Sequence, residues 1–287
     1  MIERITVFGV GLIGGSFAAA LKAAGAVGEV VGAGRRRETL ERALALGLID
    51  RIAENPADAV RDCDLVLLAA PVAQTGPILA SIASHLAPRT TVSDAGSTKC
   101  DVINAARAVL GDRIGQFVPG HPVAGGELHG PEAAKADLYQ AKNVILTPLA
   151  ENDAERVALV RAAWETCGAR VRDMPSPQHD RLLASVSHLP HMLAYALVAQ
   201  IAGADDSGLR FDFAGAGFRD FTRIAASSPE MWRDIALANR DALLIELDGY
   251  DAVLKNLRGM IAAGDGAALE ALFTLASQKR LNWKLGG

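Results

Sequence analysis

Short apolar runs alternate with longer amphipathic segments over the first half of the chain. The runs are rich in Val, Ile and Leu, and such runs are typical of parallel strands that are covered on both faces. The predicted strands are 5–8, 30–32, 65–70, 91–93, 144–147 and 169–172, and the helices predicted between them are 16–24, 37–46 and 102–110. This alternation predicts an α/β domain with a doubly wound parallel sheet over residues 1–174.

After the Pro-rich break at 174–177 the pattern changes to helical spacing. Apolar residues recur every three to four positions in 180–201, 229–257 and 267–279. Pro190 lies inside the first of these segments and is expected to kink it. We therefore expect residues 175–287 to form an all-helical second domain. The rest of this domain is too small to bury the apolar faces of its long helices. This favours a homodimer whose interface lies in this domain.

Composition narrows the class of partner. The chain has 287 residues and a formal net charge of −4, so it lacks the basic surface expected of a nucleic-acid-binding protein. Cys63, Cys100 and Cys167 are odd in number and far apart, which indicates isolated thiols rather than disulfides or a metal site. No signal peptide precedes the first predicted strand, and the apolar stretches are interrupted before the ~18 residues of a membrane span. We expect a cytoplasmic protein, not membrane-bound, with a small-molecule substrate.

A glycine-rich segment, Gly9-Val10-Gly11-Leu12-Ile13-Gly14-Gly15-Ser16, connects the first strand to the first helix. In such a Rossmann-type turn the first glycine allows the tight bend and the second admits the pyrophosphate. The third lets the helix pack on the strand. The predicted dinucleotide-binding residues are Gly9, Gly11, Leu12, Ile13 and Gly14. The motif alone also fits FAD.

The end of the second strand bears on which dinucleotide binds. NAD enzymes place an acidic residue there for the adenosine ribose, but this chain has Gly34 followed by three arginines, and Glu38 comes too late. Arg35 and Arg36 suit the 2′-phosphate of NADP. The alternative is that the arginines only form a solvated helix start; NAD can still bind in that case, because Gly34 leaves room for either nucleotide.

Two loops carry candidate catalytic residues. Ser97 follows the fourth predicted strand, at the edge of the sheet where ligands bind, although it could also cap a helix. His121 lies between Gly120 and Pro122, and a neutral imidazole can accept a proton from a hydroxyl that is being oxidised. A structural loop histidine is an equally good interpretation of that position taken alone.

The helical half adds two polar clusters. His188 and His191 are three residues apart and can share one face of a helix, but no nearby carboxylate or cysteine completes a metal site. Arg219 and Arg223 lie in the glycine-rich segment 215–223, where an arginine can bind a substrate carboxylate. Surface salt bridging is the alternative, more so for Arg219 than for Arg223.

Together these motifs resemble the prephenate/arogenate dehydrogenases over essentially the whole chain. The resemblance rests on the glycine motif, on Asp94-x-Gly96-Ser97-x-Lys99, Gly120-His121-Pro122-x-Ala124-Gly125-x-Glu127 and Ser187-His188-Leu189-Pro190-His191, and on Asp220-Phe221-Thr222-Arg223-Ile224-Ala225 with Met231-Trp232. It implies two subunits that intertwine through the helical domain.

The resemblance also implies roles for individual residues. His121 would hydrogen-bond the ring C4 hydroxyl and take its proton, and Ser97 would orient either partner. Arg223 would bind the side-chain carboxylate, with Trp232 and either His188 or His191 nearby. Glu127 would lie in the pocket wall.

The implied reaction is oxidative decarboxylation of prephenate to 4-hydroxyphenylpyruvate, of arogenate to tyrosine, or of both. Hydride would pass to NAD(P)+, as part of tyrosine biosynthesis. Relatives that use NAD have Asp where this chain has Gly34, which favours NADP, and some have Gly at the position of Ala216. Two alternatives remain. A 3-hydroxyacid dehydrogenase relies on a lysine, and this chain has none between 175 and Lys255; a non-catalytic dinucleotide sensor would not need His121.

Overall fold

A computed structural model describes residues 2–126 and 128–283. Six parallel strands form the main sheet: β1 (Ile2–Phe8), β2 (Val27–Ala33), β3 (Arg51–Ile52), β4 (Leu65–Leu68), β5 (Thr91–Asp94) and β6 (Phe117–Val118). Their order is β3-β2-β1-β4-β5-β6. Successive strands are therefore added on one side of β1 up to β3 and on its other side from β4 onward, so that the switch point lies between β1 and β4. Ligands bind at such a switch point in open α/β sheets.

Six helices belong to the part of the chain that forms the sheet: α1 (Leu12–Ala23), α2 (Arg37–Ala45), α3 (Pro56–Val60), α4 (Thr75–Ile82), α5 (Cys100–Leu110) and α6 (Ala154–Thr166). Two separate apolar clusters form the core. One contains Phe17 of α1 and Trp164 of α6, whose ring centroids are 4.5 Å apart. The other contains Leu79 and Ile82 of α4. The sequence therefore predicted the doubly wound parallel sheet correctly.

A second sheet has three strands, β7 (Gly120–Pro122), β8 (Asn143–Leu146) and β9 (Arg170–Asp173). The strands predicted at 144–147 and 169–172 form, but in this sheet instead of the six-stranded one. β7 runs antiparallel to β8, pairing His121 with Ile145. It is too short and too polar for its sequence to predict a strand, yet it holds His121.

The helical segment 176–202 consists of α7 (Ser176–Leu183), a π-helical turn (Ala184–His188) and α8 (Leu189–Ala202). The proline ring would clash with the carbonyl of Val186 in a regular α-helix. Here the π-helical turn ends just before Pro190. The kink expected at the proline is therefore replaced by one extra residue in the helix.

By length and composition alone, the same segment, Ser176–Ala202, could cross a membrane. Pro190 interrupts the apolar run of this segment as expected, but the helical segment continues past the proline and so reaches this length. One helix of this kind is weak evidence for a membrane span, since core helices pass the same test. Leu183, Ser187 and His191 of this segment line the cavity described below.

The remaining helices are α9 (Ser207–Asp212), α10 (Ala216–Thr222), α11 (Pro229–Ala238), α12 (Arg240–Ala263) and α13 (Gly266–Asn282). A single helix over 229–257 was predicted, and this was wrong. Asn239 separates α11 from α12, and its buried amide nitrogen donates a hydrogen bond to the carbonyl oxygen of Asp180 at 2.8 Å. A tertiary contact thus overrides the helical periodicity.

The chain forms two compact units, Met1–Asn239 and Arg240–Gly287. In the second unit α12 and α13 pack against each other. The boundary predicted between residues 174 and 175 stays a prediction.

Candidate active site

A cavity of about 790 Å³ lies at the carboxyl ends of the parallel strands, and helices from the segment after residue 175 complete it. The predicted site residues in its lining are Gly11, Leu12, Ile13, Ser97, His121, His191, Arg223 and Trp232. The structure thus brings together residues from both halves of the sequence. Glu127 lies outside the described residues.

His121 is held in place through its neighbour Gly120. The carboxylate of Asp94, at the end of β5, accepts a hydrogen bond from the backbone nitrogen of Gly120 at 3.1 Å. Lys99 forms a fully buried ion pair with Asp94 and donates to the carbonyl oxygen of Gly120 at 2.8 Å. Both polar groups of the Gly120 backbone are therefore bound to one buried ion pair, which fixes where β7 begins.

The ring of His121 is bound by a second buried histidine. His121 Nδ1 lies 2.8 Å from His179 Nε2, and His179 Nδ1 lies 2.8 Å from Asp180 Oδ1. The Asp180 carboxylate also accepts the backbone N–H groups of Lys99 and Cys100, each at 2.8 Å. Burial raises the pKa of Asp180, but these hydrogen bonds outweigh it and the pKa lies below its usual value. Asp180 is therefore an ionised carboxylate, which can accept hydrogen bonds but cannot donate them.

The directions of these bonds follow from that charge. Since Asp180 accepts, His179 Nδ1 donates, and a neutral His179 must then accept at Nε2 from Nδ1–H of His121. The remaining nitrogen of His121, Nε2, carries a lone pair and is the one left to face the cavity. Burial is the main cause that lowers the pKa of His121 well below 6.5, followed by the unfavourable interaction of two protonated rings at His121 and His179 and by the charge of Lys99. The arrangement provides a neutral base.

His188 and His191 have different environments. His191 lines the cavity and stacks on Trp232, with ring centroids 3.6 Å apart, and its Nδ1–H donates to the carbonyl oxygen of Ser187 at 2.9 Å. His188 is buried behind it, and its Nδ1 lies 3.1 Å from the amide nitrogen of Asn239. Burial lowers the pKa of His188 to about 4. His191 is thus the residue of the pair that a ligand in the cavity would meet.

A second cavity of about 510 Å³ adjoins the first, and Gly11 lines both. Gly9 has φ of +94°, and a Cβ on Gly14 would lie 2.3 Å from the carbonyl oxygen of Gly9, so both positions require glycine. A Cβ on Gly11 would meet no atom within 4 Å. The loop therefore leaves open space at the start of α1, where unpaired N–H groups favour a phosphate. These residues fit a dinucleotide.

The far end of the second cavity is lined by Gly34, Arg35 and Arg36. Within the described chain the side chains of Arg35 and Arg36 form no hydrogen bond or ion pair, whereas that of Arg37 is bonded to Glu41 at 2.9 Å. Glu54, from the loop after β3, also lines this cavity. It is an acidic residue that sequence reasoning missed, because β3 is too short to be predicted.

Comparison with known proteins agrees with this geometry. The family model for the nucleotide-binding domain of prephenate dehydrogenase matches residues 17–173, and the model for its dimerization domain matches residues 175–275. The chain belongs to the prephenate dehydrogenase family. The family predicted from the motifs is confirmed, as is the fold of a Rossmann-type sheet followed by helices.

Individual relatives match along nearly their whole length. The chain is 40% identical to a cyclohexadienyl dehydrogenase of Zymomonas mobilis, covering 99% of this chain and 97% of the relative. A prephenate dehydrogenase of A. aeolicus, solved in complex with hydroxyphenyl propionate and NAD+, has a TM-score of 0.91 and 35% identity, with 98% of each chain covered. A Synechocystis arogenate dehydrogenase has a TM-score of 0.80 and 30% identity, covering 97% and 99%.

Three residues of this prephenate dehydrogenase-like site were not assigned a role from the sequence. They are Lys99, His179 and Asp180. The adjacent His-Asp pair just after the break at residue 175 was an available signal, since such a pair can support a base. Within the described residues, no group of three or more His, Cys, Asp or Glu side chains is arranged to hold a metal ion.

Proposed function

We propose that this protein catalyses the NAD(P)+-dependent oxidative decarboxylation of prephenate, arogenate or both, with His121 as the general base. The observation that carries the proposal is that His121, whose Nδ1 is bonded to His179, lines a cavity that also includes the glycine loop. Arg223 and His191 line the same cavity and suit the polar side chain of such a substrate. The A. aeolicus relative was solved with NAD+ and with a ligand that contains a phenol and a carboxylate.

The chemistry divides between the chain and its cofactor. A nicotinamide dinucleotide, when bound at Gly9, Gly11 and Gly14, supplies the acceptor for the hydride from C4 of the substrate. His121 accepts the proton of the C4 hydroxyl at Nε2. The ring carboxyl group then leaves as CO2, its electron pair makes the ring aromatic, and the resulting phenolate oxygen takes back the proton from His121. Because aromatisation favours this outcome, the protein mainly has to position C4 and remove one proton.

The direct test of this function is an assay of the protein with each substrate and each cofactor. Formation of reduced nicotinamide is followed by near-ultraviolet absorbance, and the product is identified by mass spectrometry. We expect turnover with prephenate, arogenate or both, and none with a simple 3-hydroxyacid. Cofactor binding with no turnover of either substrate would favour the dinucleotide sensor.

Arg223 is proposed to bind the side-chain carboxylate of the substrate. Removal of a hydrogen bond to a charged group costs about 1.5–3 kcal/mol. We therefore expect Arg223→Ala to raise the KM for the substrate at least about tenfold with little change in the KM for the cofactor. Arg219→Ala is the matched control, since Arg219 is exposed and bonded to Asp220. An unchanged substrate KM in Arg223→Ala would place the carboxylate elsewhere.

NADP+ is proposed as the preferred cofactor, with a 2′-phosphate bound by Arg35 or Arg36. These arginines are exposed, so solvent screening limits the expected preference to about tenfold in kcat/KM. Arg35→Ala or Arg36→Ala should reduce it. Gly34→Asp should reverse it, because a Cβ on Gly34 meets only Leu40, at 3.9 Å, and the carboxylate has room. A wild-type preference for NAD+ would indicate that Glu54, not an arginine, faces the ribose.

The helices after residue 175 are proposed to form a homodimer interface. The dimerization-domain model matches this part of the chain, and large apolar side chains of α12 and α13, including Ile245, Ile261 and Phe273, are exposed. Such side chains favour burial against a second copy. Light scattering at micromolar concentration should give twice the mass of the chain, and a monomer would contradict the proposal.

A further inference from the structure

His179 is a fully buried histidine that the proposed reaction does not yet use. It has no exposed surface and is absent from the lining of the cavity. Its two ring nitrogens are nevertheless both bonded, one to His121 and one to Asp180. The bonds run in one direction from the cavity into the interior, from His121 to His179 and then to the carboxylate.

The environment of His121 makes a positive charge on that ring costly. His121 is buried, and the ammonium group of Lys99, paired with Asp94, lies close enough to lower its pKa further. His188, a third buried histidine, acts in the same direction. A base that took the substrate proton and kept the charge would have to remain an imidazolium among these groups. The nearest carboxylate along the chain of hydrogen bonds is Asp180, beyond His179.

We propose that His179 acts through His121 and takes up the positive charge generated when His121 accepts the substrate proton. As the C4 hydroxyl proton binds Nε2 of His121, the proton on Nδ1 of His121 moves to Nε2 of His179. His121 stays neutral with its other nitrogen protonated, and His179 becomes an imidazolium that donates to the Asp180 carboxylate. This inference rests on the proposed function.

The atoms and charges balance across this step. One proton leaves the substrate hydroxyl and one proton arrives on His179, while the electron pair of the C4–H bond leaves with the hydride. When CO2 leaves, the C4 oxygen becomes a phenolate; Nε2 of His121 returns its proton to that oxygen, and Nδ1 of His121 takes back its proton from Nε2 of His179. The carboxylate stays ionised, because it also accepts the N–H groups of Lys99 and Cys100.

A simpler role for His179 is to hold the ring of His121 in position. Two substitutions separate the roles. In His179→Gln the amide oxygen can still accept from Nδ1 of His121, but an amide does not take up the proton. In His179→Asn the amide nitrogen can still donate to Asp180, but the contact to His121 is lost. If His179 only positions the ring, Gln should restore activity relative to Asn. If it takes up charge, neither should.

The measurement is the single-turnover rate of nicotinamide reduction at saturating substrate, in mixtures of light and heavy water. We expect both variants to lose about 10²-fold in rate with the substrate KM changed by less than about threefold. A plot of the wild-type rate against the fraction of deuterium in the solvent should be curved, because two protons move in the same step. The same plot for His179→Gln should be a straight line, because only one proton moves. A rate for His179→Gln within about threefold of wild type, or an unchanged curve, would overturn the proposal.

A second measurement on the resting wild-type protein needs neither a folded variant nor a substrate. Nitrogen-15 NMR of the histidines should show His121 protonated at Nδ1 and not at Nε2 at neutral pH. The opposite tautomer would contradict the relay even if the enzyme is active. If the wild type turned over neither prephenate nor arogenate, the proposed function would fail, while the tautomer would still report on the direction of the bonds.

Discussion

His121→Asn is expected to lower kcat by about 10²–10⁴-fold, the usual contribution of a positioned general base. Asparagine keeps a donor near the position of Nδ1 but offers no nitrogen that can accept the substrate proton. The variant should fold and bind cofactor normally, because Asp94 and Lys99 hold this strand through the Gly120 backbone. His85→Asn, in an exposed turn, is the control. Near-normal turnover in His121→Asn would remove His121 from the mechanism.

The pH dependence provides an independent check on the same residue. Burial, together with His179 and Lys99, lowers the pKa of His121 well below 6.5. The neutral, active form therefore persists on acidification through pH 6.5, and the fall in wild-type kcat should begin well below that pH. In His121→Asn this fall in kcat at low pH should disappear. A wild-type fall centred near pH 6.5 would indicate an exposed base.

Lys99→Met is expected to lower the free energy of unfolding by about 3–5 kcal/mol, because it leaves a buried carboxylate without its partner. Asp94 is fully buried, and burial already raises its pKa even with Lys99 present. Urea denaturation measures the loss, and kcat should fall as well, since Gly120 loses the lysine contact. Adding Asp94→Asn should recover much of the stability, because it removes the uncompensated charge.

Lys22→Met is the matched control for this prediction. Lys22 also pairs with a carboxylate, that of Asp50 at 2.6 Å, but both side chains are partly exposed. An exposed pair contributes about 0–1 kcal/mol. Equal losses in Lys22→Met and Lys99→Met would show that burial of the Asp94–Lys99 pair is not what makes it important.

The features that the sequence predicted correctly are those whose signals are local. The glycine motif requires particular backbone angles over a few residues, and Gly9 has the positive φ that its place in the turn demands. His121, which lines the cavity, was singled out because the residues on both sides restrict it, and its role as the base stays a prediction. The strand predicted at 65–70 was recognised because the run is wholly apolar, and the structure has it at Leu65–Leu68. In each case, neighbours along the chain carry the information.

The features that were missed depend on contacts between distant parts of the chain. His179 meets His121 across 58 residues of sequence, and no periodicity predicts that pairing. Asn239 interrupts a helical pattern because its side chain bonds to a backbone 59 residues away. Likewise, β7 is a strand only because β8 pairs with it. The polar network behind His121 could therefore be found only from the structure.

The π-helical turn at Ala184–His188 means that the helix contains one residue more than a regular helix of the same length needs. Each added or removed residue rotates everything that follows by about 100° around the helix axis. Deletion of one residue from this turn would therefore move His191 off Trp232, on which it now stacks. The turn thus constrains the number of residues more than their identity. Val186 is exposed and can be replaced at little cost, whereas its deletion would displace the residues of α8 that line the cavity.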